Sequence, residues 1–321
     1  MLGTPNVMSR EFKILLVAAI IGIAIGGAYA TNRILTSQSI CQPSARILAT
    51  FFPVYDFARH VVADTTRVSL LVPMTVDVHG FTPDACSIQQ VASAKVLIYS
   101  GAGLEPWITE IVSAAHNPDL VLVDSSHGIA TINVPPEWQA DGRVVDPHIW
   151  LDPVIAKQQV NNILQGLIKA YPSDNDTFTA NAKSYHEQLD YLNSAIMNAT
   201  NFHIIKTRYF VTFHIAFAYF AQRYNLTQIP VFGPFEDSPT AQDIQNVTTS
   251  IQKYQLCYVG YESLENPAIP QAIAANTHAT LVHMDPIEGL TIAEQGAGKT
   301  YIDLMYEDLH NIALALDTVG C

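Results

Sequence analysis

The feature that most constrains this chain is an alternation of short, continuous apolar runs with helix-patterned segments, met twice, on either side of one long amphipathic stretch. The runs fall at 46–50, 68–72, 96–99 and 120–123, and again at 209–212, 229–232, 257–261 and 281–283. Strands that are apolar at nearly every position are those buried on both faces, as in parallel sheets covered by helices. Helical segments between such strands make repeated βαβ units, so the predicted fold is α/β.

The two sets correspond block by block. ATFFPVYDFARHV from Ala49 parallels VTFHIAFAYFAQRY from Val211, and PDACSIQQV from Pro83 parallels PTAQDIQNV from Pro239. LIYSGAGLEP from Leu97 parallels CYVGYESLENP from Cys257. Three matched blocks in the same order read as an internal duplication, giving two similar lobes, each a mostly parallel sheet flanked by helices. Between them, in 174–201, Phe178, Ala182, Tyr185, Leu189, Leu192 and Ile196 recur at alternating steps of four and three, one face of a helix. Pro172 precedes this stretch and Ser173 is placed to cap it. About 28 residues at 1.5 Å each span roughly 42 Å, a stiff connector that lets a cleft between the lobes open only slightly. The expected division is a leader or anchor with spacer at 1–44, a first lobe at 45–173, the connecting helix at 174–202 and a second lobe at 203–321.

The uncharged run 14–30 follows Arg10 and Lys13 and ends in small residues, the layout of a signal peptide or a retained membrane anchor. Cys41 lacks the Leu three residues before, and the Gly or Ala just before, that mark a lipid attachment site: Gln38 and Ile40 stand there. Either form of leader places the body outside the cytosol, on the cell surface or in a periplasm. The formal charge of −13 excludes a nucleic-acid binder, which needs a basic face to displace counterions from phosphates. Cys41, Cys86, Cys257 and Cys321 form no CxxC pair, and in an oxidising compartment their even number permits disulfides. A Cys257–Cys321 bridge would pin the end of the chain to the second sheet, leaving Cys41 with Cys86.

Ligands of open parallel sheets bind beyond the carboxyl ends of the strands. His79 follows the run 68–72, His148 follows 143–145 in DPHIWLDP, His214 follows 209–213 and Asp285 follows 281–283. If the lobes face each other, three imidazoles and one carboxylate converge, a donor set that suits Zn²⁺. His283 competes with Asp285, since the two share a face if the strand continues. Glu105 and Glu262 could support the ligands from behind, or face solvent or cap helices.

These blocks resemble the metal-binding solute receptors of ABC transporters that import zinc or manganese, from about Arg46 to Cys321. VDVHGFTPDACSIQQVASAKVLIYSGAGLEPWI is similar to the block carrying the family's first ligand, here His79. DPHIWLDP, TFHIAFAYFAQRYNL and HMDPIEGL are similar to those carrying the next three, here His148, His214 and Asp285. The resemblance implies two lobes joined by a long helix, Zn²⁺ as transported ligand with Mn²⁺ as second choice, a membrane permease as partner, and a monomer. Manganese-type members commonly have Glu at the third position, and the softer imidazole of His214 favours zinc. The long acidic, His-rich loop of many zinc receptors is missing; only His116 and His127 stand between Trp107 and His148. Cys257 with Cys321 resembles a disulfide of some zinc members. The rival assignment is a secreted zinc hydrolase. Catalytic zinc usually has three protein ligands and an open water position, whereas four would close the site.

Overall fold

The computed structural model describes residues 46–321 apart from 140, 141, 202, 236 and 237. The leader at 14–30, Cys41 and therefore the Cys41–Cys86 pairing lie outside the described residues. The described residues belong to one compact unit. Among the described residues no helix is long and apolar enough to cross a membrane.

The first lobe contains β1 (Ile47–Ala49), α1 (Phe52–Val62), β2 (Val68–Leu70), α2 (Ala85–Ser93), β3 (Val96–Tyr99), α3 (Ile108–Ala115), β4 (Val121–Asp124) and α4 (Pro153–Ala170). Its strands form one parallel sheet in the order β2-β1-β3-β4, with Ile47 in register with Val68 on one side and Val96 on the other. β1 and the apolar residues of β3 are buried, as their unbroken apolar runs require of strands covered on both faces.

The second lobe contains β5 (Tyr209–His214), α6 (Ala218–Arg223), β6 (Thr227–Phe232), α7 (Ala241–Tyr254), β7 (Tyr258–Tyr261), α8 (Ala268–Thr277), β8 (Thr280–His283), α9 (Ile292–Ala297) and α10 (Tyr301–Asp317). β5 pairs with β6 and β7 with β8, both parallel. β7 lies against β5 so closely that a Cβ on Gly260 would come within 2.7 Å of the Val211 carbonyl oxygen. The strand sequence across the lobe is then β6-β5-β7-β8, the arrangement of the first lobe, with its middle seam held by packing instead of a hydrogen-bonded ladder. The lobes share one topology.

Between them runs α5 (Asn175–Ala199), whose buried residues are Phe178, Ala182, Tyr185, Leu189, Leu192 and Ile196. These are the six positions of the predicted stripe. They pack against α1 and α4 of the first lobe and α10 of the second, so one apolar cluster runs from the first sheet through the connector into the second lobe. A second cluster fills the space around β5, β6 and β7. Ser173 is not the cap of α5. Pro172–Asp174 already form a 3₁₀ turn leading into the helix, no side chain caps its first N–H groups, and Ser173 Oγ instead lies 3.3 Å from Asp174 Oδ1.

Cys257 stands just before β7 and is joined to Cys321, with their Cα atoms 5.6 Å apart. An isolated antiparallel bridge between Leu256 and Val319 lies alongside.

Candidate metal centre

Three imidazoles and one carboxylate meet between the lobes. One ligand-type atom from each of His79, His148, His214 and Glu288 lies within 4.8 Å of the others. His79 and His148 come from the first lobe, His214 and Glu288 from the second. The Nε2 atom of His148 lies 3.3 Å from that of His79 and 3.2 Å from that of His214. Glu288 Oε1 is 3.0 Å from Nε2 of His79, 3.0 Å from that of His148 and 3.6 Å from that of His214.

Local structure aims each ring. His79 sits in the loop after β2, its main-chain N–H donating to Asp77 Oδ1 at 2.9 Å. His148 follows an isolated antiparallel bridge at Asn133–Val145, not the sheet strand that the 143–145 run suggested, and is fully buried. Asp146 Oδ1 accepts both its main-chain N–H, at 2.9 Å, and a proton from Nδ1, at 2.8 Å. His214 ends β5, and Glu262 just past β7 accepts from its main-chain N–H at 3.1 Å and from Nδ1 at 2.8 Å. With Nδ1 of two rings held by buried carboxylates, their Nε2 atoms face the centre, the arrangement by which outer partners orient metal-binding imidazoles.

The electrostatics follow from this packing. Burial pushes the His148 imidazole down, but Asp146 and Glu288 outweigh it and hold the ring above the ordinary histidine value. Burial likewise opposes the charge on His214, and Glu262 with Glu288 raises that ring well above the ordinary value. Burial disfavours the Glu288 anion, yet the His79 charge and hydrogen bonds from all three imidazoles hold its carboxyl well below the usual range. The same carboxylates that favour positive charge on the rings would favour a bound cation between them.

Of the four residues expected from the sequence, the structure brings together His79, His148 and His214; the other member of the converging group is Glu288, and Asp285 lies outside it. Asp285 is buried at the edge of the same cleft, where Oδ1 accepts the Ile287 N–H at 2.7 Å and Oδ2 accepts the Ser263 N–H at 3.0 Å. His283 is also outside the group, with Nε2 2.6 Å from Ser263 Oγ. Glu262 backs a ring of the centre, whereas Glu105 does not: it accepts from the Thr50 hydroxyl and the Ser100 and Gly101 N–H groups at the end of β3, and burial pushes its carboxyl up to about 7. Gly289 in HMDPIEGL is the one sequence signal beside Glu288, because an isolated glycine marks a close approach of another backbone, here the Met74 carbonyl.

The model of the ZnuA family, zinc-uptake complex component A, periplasmic, matches residues 47–315. Zinc-binding protein AdcA of Streptococcus pyogenes serotype M3 is 27% identical over 327 residues, covering 96% of this chain and 62% of that protein. The chain thus spans less than two thirds of that relative's length. High-affinity zinc uptake system protein ZnuA of Bacillus subtilis is 27% identical over 272 residues, covering 82% of this chain and 85% of that protein. The crystal structure of Zn(II)-bound AdcA from Streptococcus pneumoniae superposes with a TM-score of 0.74 at 27% identity, over 87% of this chain and 59% of that one. A crystal structure of ZnuA gives 0.71 at 28% identity, over 84% of this chain and 98% of that one.

Proposed function

We propose, from the premise that this chain belongs to the family of periplasmic zinc-uptake complex component A proteins, that it is the extracytoplasmic receptor of an ABC importer, taking Zn²⁺ between its lobes and handing it to a membrane permease. The observation that carries this reading is the convergence of the His79, His148 and His214 Nε2 atoms with the Glu288 carboxylate. Three neutral imidazoles and one carboxylate supply a tetrahedral set of borderline donors, which suits zinc better than the oxygen-rich sets preferred by manganese. Four protein ligands leave no coordination position for a reacting water, so the ion is cargo, bound and released with no bond broken in another molecule. Bound Zn²⁺ draws both lobes' ligands together and biases the receptor toward the form that a permease recognises.

Competition for Zn²⁺ against a chromophoric chelator tests the reading. Replacing His79, His148 or His214 by Ala should each weaken binding by a factor of 100 or more, on the order of the loss expected when a ligand of a closed site is deleted. Wild-type affinity in all three variants would falsify the assignment. A parallel Mn²⁺ titration should show the weaker binding of the two metals.

A further inference from the structure

Glu288 reaches the imidazoles only because the chain turns sharply after β8, and the residues that build this turn are not themselves among the converging ligands. The main-chain N–H of Asp285 donates to Asp308 Oδ1 on α10 at 2.8 Å. The side chain of Asp285 then closes on the next residues, accepting the Ile287 N–H with one oxygen and the Ser263 N–H with the other. Ile287 stands at φ +60° and is fully buried. A β-branched residue in the left-handed region is an outlier that persists only where its surroundings over-determine it. On the far side of Glu288, the Leu290 N–H donates to the Met74 carbonyl at 2.8 Å, and a Cβ on Gly289 would stand 2.1 Å from that carbonyl oxygen.

We infer that Asp285 and Asp308 are positioning residues for the metal centre: Asp308 anchors the main chain at Asp285, and Asp285 clamps the left-handed turn at Ile287, so that the Glu288 carboxylate is delivered to the three imidazoles while neither aspartate binds the ion. This rests on reading His79, His148, His214 and Glu288 as the ligands. Asp308 is suited to a purely structural part. Its Oδ2 is buried without a hydrogen-bond partner, and burial beside the Asp285 charge pushes its carboxyl well above the usual range; Asn has the same shape and keeps an oxygen to accept the Asp285 N–H.

A double-mutant cycle on Zn²⁺ affinity tests the inference, because residues that act through one another are not additive. Asp285→Ala should lose about 10–100-fold, the range found when partners behind a metal ligand are removed. In a Glu288→Ala background the same change should cost less than threefold. A further tenfold loss in the double variant would show Asp285 acting as a ligand and would overturn the inference, as would wild-type affinity in Asp285→Ala. Asp308→Asn keeps the acceptor for the Asp285 N–H and should bind within threefold of wild type, whereas Asp308→Leu should fall by tenfold or more; wild-type affinity in Asp308→Leu overturns the part given to Asp308. Melting of each metal-free variant identifies any that does not fold, and Asp285→Asn, which retains one acceptor oxygen and should show an intermediate loss, then replaces Asp285→Ala in the cycle with the same two criteria. If His148→Ala also binds zinc like the wild type, the ligand reading itself has failed; if only Asp285→Ala does, this inference alone has.

Discussion

Oε1 of Glu262 accepts both the main-chain N–H and the Nδ1 proton of His214, at 3.1 and 2.8 Å. One buried oxygen therefore fixes the ring's tautomer, its rotation and the end of strand β5 together. Glu262→Ala should cost zinc affinity about 10–100-fold although Glu262 is not among the proposed ligands. Glu262→Gln, which can still accept through its carbonyl oxygen, should lose less. Chelator competition measures both, and equal affinity in wild type and Glu262→Ala would remove Glu262 from any part in the centre.

The raised values of His148 and His214 make binding a competition with protons. A ligating imidazole must be neutral, so zinc has to displace protons that the metal-free site holds to a higher pH than free histidine, whose pKa is about 6.5. Zinc affinity should begin to fall above pH 6.5 and continue falling to pH 5.5; a flat affinity across that interval contradicts a three-imidazole site. Stability of the metal-free protein runs the opposite way. Histidines raised on folding stabilise fully below about pH 6.5 and lose that contribution as pH rises through their folded values, while Glu288, depressed on folding, stabilises above about pH 4.3 and loses its contribution as pH falls through its folded value. The rise in Tm produced by zinc should therefore be smaller at pH 5.5 than at pH 8, which a pair of thermal melts with and without metal reads directly.

Zinc should raise the stability of the body by mass action. At a free concentration of about 1,000 times Kd the gain is about 4 kcal/mol, or on the order of 10 °C in Tm. The accompanying change in solution dimensions should be small, because one apolar cluster passes from the first sheet through α5 into α10. Small-angle scattering with and without Zn²⁺ checks this, and a large compaction would mean that the connector bends.

The Cys257–Cys321 bridge closes a segment with a sequence separation of 64. In the chain-entropy account such a loop contributes about 4 kcal/mol. Cys321→Ser should lower the denaturation midpoint accordingly without changing zinc affinity. Non-reducing peptide mapping of exported protein should recover the two cysteines in one linked fragment, and two free thiols would refute the pairing.

The parallel strands were legible because their apolar runs are continuous, and the α5 stripe because a 3.6-residue period leaves little choice of buried face. His79 and His214 could be anticipated since each follows a sheet strand and ligands gather beyond strand carboxyl ends; His148 follows only an isolated bridge, and DPHIWLDP was its sole signal. Asp285 lies at the strand end that rule points to, yet it stays outside the converging group, for a reason outside the rule. Nearness to a strand end says where a residue starts, but the direction of its side chain here depends on a left-handed Ile287 that no local preference would place there. The contacts that hold this turn come from Asp308 and from Met74, the latter in the other lobe, and neither is visible in the HMDPIEGL segment itself. Ser173 shows the same limit at smaller scale, since its capping chemistry was sound while the 3₁₀ turn from Pro172 carried the chain past the position where it would act.

The hydrogen bond from Leu290 to Met74 joins main chain to main chain, and this makes it indifferent to side-chain identity at both ends. Residues 74 and 290 can drift among apolar types without unfastening the stretch that carries His79 from the stretch that carries Glu288. Gly289 has no such latitude, since any Cβ there collides with the Met74 carbonyl. The spacing of the half-sites is thereby set by peptide groups, so variation in the surrounding side chains can retune how firmly an ion is held while the aperture offered to it keeps its size.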